Sequence, residues 1–269
     1  MIQYRKPTQN VSSLRGRILA VTVILVCAVL IPSPAHAAEY SMPVLGRWTR
    51  PMITLAIPAT PRWAHDVVVN ASLVWNRAQV WFQRIFVPAG NTYSFLESNV
   101  GNASVSFSVP SKYASFAVGW TDFTFARSST SILGAHVYLD QGVFNDAQMA
   151  NVTARQYAFR LALHELGHVL GLGNLVDGQD IMDPLRTPNR AAETPMLSTL
   201  DLFAVYALAS NSSLTSSFIT LNTDQYELVN ASTFLAGANI SSTFPATEPY
   251  TVPTTLCELR VHRFKVCRG

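Results

Sequence analysis

Five consecutive residues, His164-Glu165-Leu166-Gly167-His168, constrain this chain more than any other feature. On a helix, side chains four apart share one face, so His164 and His168 can reach one metal ion. Glu165 then projects beside that ion, where it can take a proton from a bound water. The arrangement predicts a zinc hydrolase acting on a protein or peptide substrate, with zinc as cofactor. Zinc supplies what such chemistry needs: a Lewis acid, and a bound water whose pKa falls to about 7.

The surroundings predict a helix under the motif. Thr153-Ala-Arg-Gln156 fits a capping box, so a helix is expected from about Ala154 to near Gly171, a residue able to take positive φ. The following residues carry Gly, Pro and Asp and predict a loop containing Ile181-Met182-Asp183-Pro184. Ser198-Thr-Leu-Asp201 predicts the start of a further apolar helix through about Ala209.

Upstream, Met52–Ile57 alternates as a strand does. Thr60 is expected to cap a long amphipathic helix ending near Pro88, with Pro61 in its first turn. Ala103–Val109 alternates with Val105, Phe107 and Val109 on one face. Ala135–Leu139 reads as a short strand after a turn at Gly134, and Thr92–Leu96 and Ser115–Trp120 are weaker strand candidates.

The N-terminus carries an export signal. Arg15 and Arg17 precede an apolar run from Ile18 to Ile31, interrupted by Thr22, and Ala35-His36-Ala37 is a small-x-small cleavage site. The run is short for a bilayer span of about 20 residues. The domain expectation is a signal peptide at 1–37, a folded domain at 38–210 and a Ser/Thr/Asn-rich extension at 211–269. The protein is expected to be secreted, or anchored to the outer membrane face where the apolar segment stays uncleaved.

Removing residues 1–37 removes Arg5, Lys6, Arg15 and Arg17 and no acid. The 19 basic and 16 acidic residues become 15 and 16, a formal net charge of −1. No basic footprint for nucleic acid remains. Sequons at Asn10, Asn70, Asn102, Asn151, Asn211, Asn230 and Asn239 fit export and predict a glycoprotein. Cys27 falls in the apolar run. Cys257 and Cys267 form a candidate disulfide in an oxidising compartment. The basic tail around Arg260, His262, Arg263, Lys265 and Arg268 reads as a solvated end.

The run HELGHVLGLGN with IMDP resembles the metzincin clan of zinc metallopeptidases, and its matrixin-type members most. The pattern of that clan is HExxHxxGxxH followed by a Met-turn. His164, Glu165, His168, Gly171 and Met182 match it. The likeness is specific over Leu161–Pro184, fair over Leu197–Leu208 and loose over Trp48–Arg160, and it does not cover Asn211–Gly269. It implies an α/β (α+β) fold: a twisted, mostly parallel sheet with an antiparallel edge strand, two helices behind it and a C-terminal helix after the Met-turn. It implies Gly134–Asp140 as the edge strand along which substrate lies, His164 and His168 as zinc ligands, Glu165 as general base and Met182 as a structural floor.

Asn174 stands where the pattern has its third histidine. Its carboxamide oxygen is a neutral, weaker donor. Asp177 or Asp180 are alternative third ligands, and Asp180 has a second reading as a support of the Met-turn. Glu193, bracketed by Pro188 and Pro195, is a remoter candidate, and His65, His136 and His262 are weaker still. The expectation is a secreted zinc endopeptidase. Its alternative is a non-catalytic secreted or cell-surface glycoprotein retaining the same fold.

Overall fold

A computed structural model describes residues 39–87, 90–111, 118–127, 129–148, 150–175, 179–184, 194–211 and 217–235. The expected signal segment, Cys27, Cys257, Cys267, Asp177, Glu193 and His262 lie outside these residues.

The fold is mixed α/β. Strands β1 (Glu39–Pro43), β2 (Arg47–Trp48) and β3 (Met52–Ala56) lead into helix α1 (Arg62–Phe86). Then come β4 (Ser94–Glu97), β5 (Ala103–Ser106), β6 (Gly119–Phe125) and β7 (Ser131–Leu139). Helix α2 (Val152–Val169), β8 (Met196–Ser198), α3 (Thr199–Ser210), β9 (Phe218–Asn222) and β10 (Leu228–Asn230) follow, with short 3-10 turns at Asp146–Gln148, Thr223–Gln225 and Ala231–Leu235. The main sheet has six strands in the order β2-β7-β5-β3-β4, all parallel, with β6 antiparallel to β7. Two small antiparallel sheets join β1 to β9 and β10 to β8. Residues 218–230 are thereby stitched to the first strand and to the segment that starts α3.

Alternation explains the core. Ile53 and Leu55 of β3, Ala103 and Val105 of β5, and Val137 and Leu139 of β7 are buried on the sheet face that receives the helices. On α1, Val67, Ala71, Val74, Trp75, Ala78 and Phe82 recur at helical spacing and are buried. Among the described residues no helix is long and apolar enough to cross a membrane.

Several sequence expectations need correction. Helix α1 has Pro61 in the N-cap position with no side-chain cap, so Thr60 does not cap it. Helix α2 starts two residues earlier than expected, because Asn151 supplies its cap: Oδ1 accepts from Ala154 N at 3.1 Å. Thr153 then lies inside the first turn. The strand expected over 103–109 stops at Ser106, where Phe107 leaves the sheet to stack on Phe144 at 5.5 Å between centroids. Gly134 is not a turn; it lies within β7 opposite Thr124, beside a register shift. Strand β7 is interior, paired with both β5 and β6, and among the described residues β6 pairs with β7 alone, so the edge strand is β6, not Gly134–Asp140. Two sequons are structural: Asn70 is buried in α1, and Asn102 bonds Thr54 through both its side chain and its N–H.

Candidate metal centre

Helix α2 carries the site and is held at several points. The Trp75 indole donates to the Leu163 carbonyl at 2.9 Å, and the Trp48 indole to the Val169 carbonyl at 2.7 Å. Gly171, with φ of 99°, turns the chain out of the helix, and a Cβ there would collide with the Gly46 carbonyl. That turn brings Leu172 back under the helix end.

His164 and His168 lie one turn apart, ring centroids 4.6 Å from each other at an interplanar angle of 80°. His164 Nδ1 bonds the Ile181 carbonyl at 2.8 Å, and His168 Nδ1 bonds the Leu172 carbonyl at 2.8 Å. A carbonyl oxygen only accepts, so each Nδ1 carries the proton. In the neutral rings the lone pair is then on Nε2, and among the described residues neither Nε2 has a hydrogen-bond partner. Burial pushes the His164 pKa down to about 3, with the neighbouring His168 adding to the shift and the Ile181 bond opposing it. Burial also lowers His168, against its Leu172 bond. Two neutral imidazoles with fixed tautomers and free Nε2 lone pairs fit a divalent metal ion.

Glu165 lies in the same turn and is held against the edge strand. Its Oε2 accepts from the Thr121 hydroxyl at 2.7 Å, on the edge strand β6. Gly119 of the same strand lies against it: a Cβ there would come within 2.5 Å of Oε1. Burial raises the Glu165 pKa to about 7, while the Thr121 bond pulls it down. A carboxyl poised near neutrality can accept and return a proton.

Asn174 is exposed, between Gly173, whose N–H bonds the Pro43 carbonyl at 2.6 Å, and Leu175, whose N–H bonds the Met182 carbonyl at 2.9 Å. Its backbone is thus tied beside the Met182 turn, and among the described residues its side chain makes no hydrogen bond. Met182 is fully buried with its sulfur against Gly167. Asp180 does not offer itself as a third ligand, because it is fully buried with Oδ1 on Met182 N and Oδ2 on the Tyr226 hydroxyl. It supports the turn instead.

His136 faces away from the helices, its Nδ1 bonded to Ser104 Oγ at 2.6 Å and its Nε2 to Ser106 Oγ at 3.1 Å. His65 bonds Glu97 at 2.9 Å. Neither joins the site. The sequence reading missed Thr121, Gly119 and the carbonyls of Ile181 and Leu172. The first two reach the site only through the pairing of β6, and a carbonyl has no residue-type signal.

No protein-family model matches the chain, and no curated protein matches it. Among solved structures it is similar to a chain described as "GM1 bound form of the ECX AB5 holotoxin". The identity is 13%, the match covers 65% of this chain and 91% of that one, and the TM-score is 0.37. That TM-score is too low to carry an argument about what this chain does.

These findings correct the assignment drawn from the motif run. No family model matches the chain, so nothing beyond the short motif run supplies a metzincin membership. Among the described residues no group of three His, Cys, Asp or Glu side chains gathers to hold a metal ion. The expectation of a secreted zinc endopeptidase does not stand on these observations. Nor does its alternative, a non-catalytic glycoprotein with a metzincin fold. The physical reason is that HExxH records local spacing along one helix, whereas a third donor has to come from elsewhere in the chain.

Proposed function

We propose that this is an exported metal-binding protein that holds one divalent ion, zinc by the chemistry of its donors, at His164 and His168. Asn174 is the neutral oxygen donor assigned to the same ion, and Met182 is the floor that keeps the helix turn in place. The observation that supports the reading is the pair of Nδ1–H bonds to the Ile181 and Leu172 carbonyls, which leaves both Nε2 lone pairs for a ligand. Bound zinc supplies concentrated positive charge that polarises an oxygen next to it. Glu165, one residue from His164 and held by Thr121, holds or moves a proton there.

The partner class we propose is a protein or peptide in extended form. Among the described residues β6 pairs with β7 alone, so its other edge presents backbone donors and acceptors next to Glu165. Such an edge takes up an added strand. Cleavage of the bound segment is no part of this reading.

The test is zinc stoichiometry and affinity by chelator competition on the purified chain from Ala38 onward. One zinc per chain is expected, lost in His164→Ala and in His168→Ala and weakened in Asn174→Ala. A folded wild-type chain that takes up no stoichiometric zinc would sink the reading. So would equal uptake by either histidine variant.

A further inference from the structure

Two acidic side chains are buried together beside the metal centre. Asp180 and Asp201 are both 0% exposed. Asp180 sits in the 179–184 turn and accepts from Met182 N at 2.6 Å and from the Tyr226 hydroxyl at 3.3 Å. Asp201 belongs to the first turn of α3, where its Oδ2 accepts from Ser198 N at 2.8 Å and closes the capping box. Its Oδ1 is buried and has no hydrogen-bond donor among the described residues. A dehydrated carboxylate oxygen without a donor is a costly arrangement.

Burial first, then the charge of Asp180 and a side-chain hydrogen bond with it, push Asp201 well above the usual carboxylate range; the bonds from Ser198 pull the other way. Two carboxylates cannot hydrogen-bond each other unless one carries a proton. We propose that Asp180 and Asp201 share one proton at neutral pH, and that this O–H···O bond ties the 180–183 turn to the N-terminus of α3.

The tie leads to the metal centre. Ile181, next to Asp180, receives the Nδ1 proton of His164 on its carbonyl, and its own N–H bonds the Met196 carbonyl at 2.7 Å. Met182 packs on Gly167 of α2. Asp180 and Asp201 are therefore positioning residues for His164, a role that rests on the metal-binding reading; the shared proton does not rest on it. Titratable groups near the pair among the described residues include Asp183, whose N–H bonds the Asp180 carbonyl, Tyr226, whose hydroxyl bonds Asp180, and Glu227, whose N–H bonds Thr199. No cation enters the causes that shift Asp201. Loss of the shared proton leaves two buried like charges, which repel and free the turn.

Infrared spectroscopy of the metal-free full chain tests this in a Glu165→Gln background, which removes the other neutral-range carboxyl. A protonated-carboxyl band at pH 7 is expected, and Asp201→Asn should abolish it, because the amide donates to Asp180 without a shared proton. Wild-type unfolding stability should fall as pH rises from the ordinary carboxylate range through the raised value of the pair, and Asp201→Asn should flatten that fall. Absence of the band, or its survival in Asp201→Asn, overturns the proposal. For the positioning role, Asp201→Ala should weaken zinc about tenfold while Asp201→Asn keeps it. Unchanged affinity in Asp201→Ala overturns that role. A wild-type chain that binds no zinc would defeat the metal-binding reading and leave the infrared result standing.

Discussion

The sulfur of Met182 occupies the space where Gly167 would carry a side chain. A Cβ at 167 would overlap Met182 Sδ and come within 3.1 Å of Trp75 Cζ2, so helix and turn meet backbone to side chain. Gly167→Ala is therefore expected to destabilise the protein by about 1–3 kcal/mol, although alanine is the better helix former. Adding Met182→Ala should recover part of that loss, since the pair shares one space. Urea unfolding of the two single variants and the double variant measures it. Strict additivity would show that the contact does not govern the site.

The neutral imidazoles make the metal-free protein acid-sensitive. His164 is held down to about 3, below the ordinary 6.5, and His168 is lowered too. The unfolded chain then binds more protons, so their contribution is complete above pH 6.5 and is lost as pH falls toward 3. Chelator-treated wild type should lose stability over that range. His164→Gln should lose less, and equal pH profiles would refute the assignment.

Glu165 acts with the opposite sign. Its pKa is raised from 4.5 to about 7, so its contribution is present below 4.5 and is lost as pH rises through 7. In the metal-free state Glu165→Gln should gain stability relative to wild type at pH 8 and not at pH 4. Thr121→Val should raise the Glu165 pKa further, because the Thr121 bond favours the charged form. Carbon-detected NMR of the Glu165 carboxyl reads the shift directly; a downward movement in Thr121→Val would contradict the model of the site.

Local features were legible in the sequence, and distant pairings were not. The α2 motif, the Ser198–Asp201 capping box and the apolar stripe of α1 are patterns within one element, and each formed as expected. Asn151 displaced Thr153 as cap because two candidates two residues apart compete and geometry decides. The sheet edge was misread because β7 alone gives no sign that β6 folds back across it. Thr121 therefore went unseen, 44 residues from the Glu165 it bonds. A family assignment taken from one short run shared the same weakness, since it rested on a helix turn and the loop after it.

Zinc affinity should persist into mildly acidic solution. Two solvated histidines with pKa near 6.5 would each be mostly protonated at pH 5.5, and proton competition would weaken zinc roughly a hundredfold between pH 7.5 and 5.5. Here burial lowers both rings in the metal-free fold, His164 to about 3, so protons compete less. Affinity is expected to change by less than about tenfold over that interval. Zinc at a hundred times its Kd should add about 2.7 kcal/mol of stability, removed by chelation and absent in His164→Ala. Isothermal titration across the pH range, with thermal unfolding beside it, provides both numbers. A hundredfold loss of affinity by pH 5.5 would mean that the rings are solvated, and that the Ile181 and Leu172 carbonyls do not fix their tautomers.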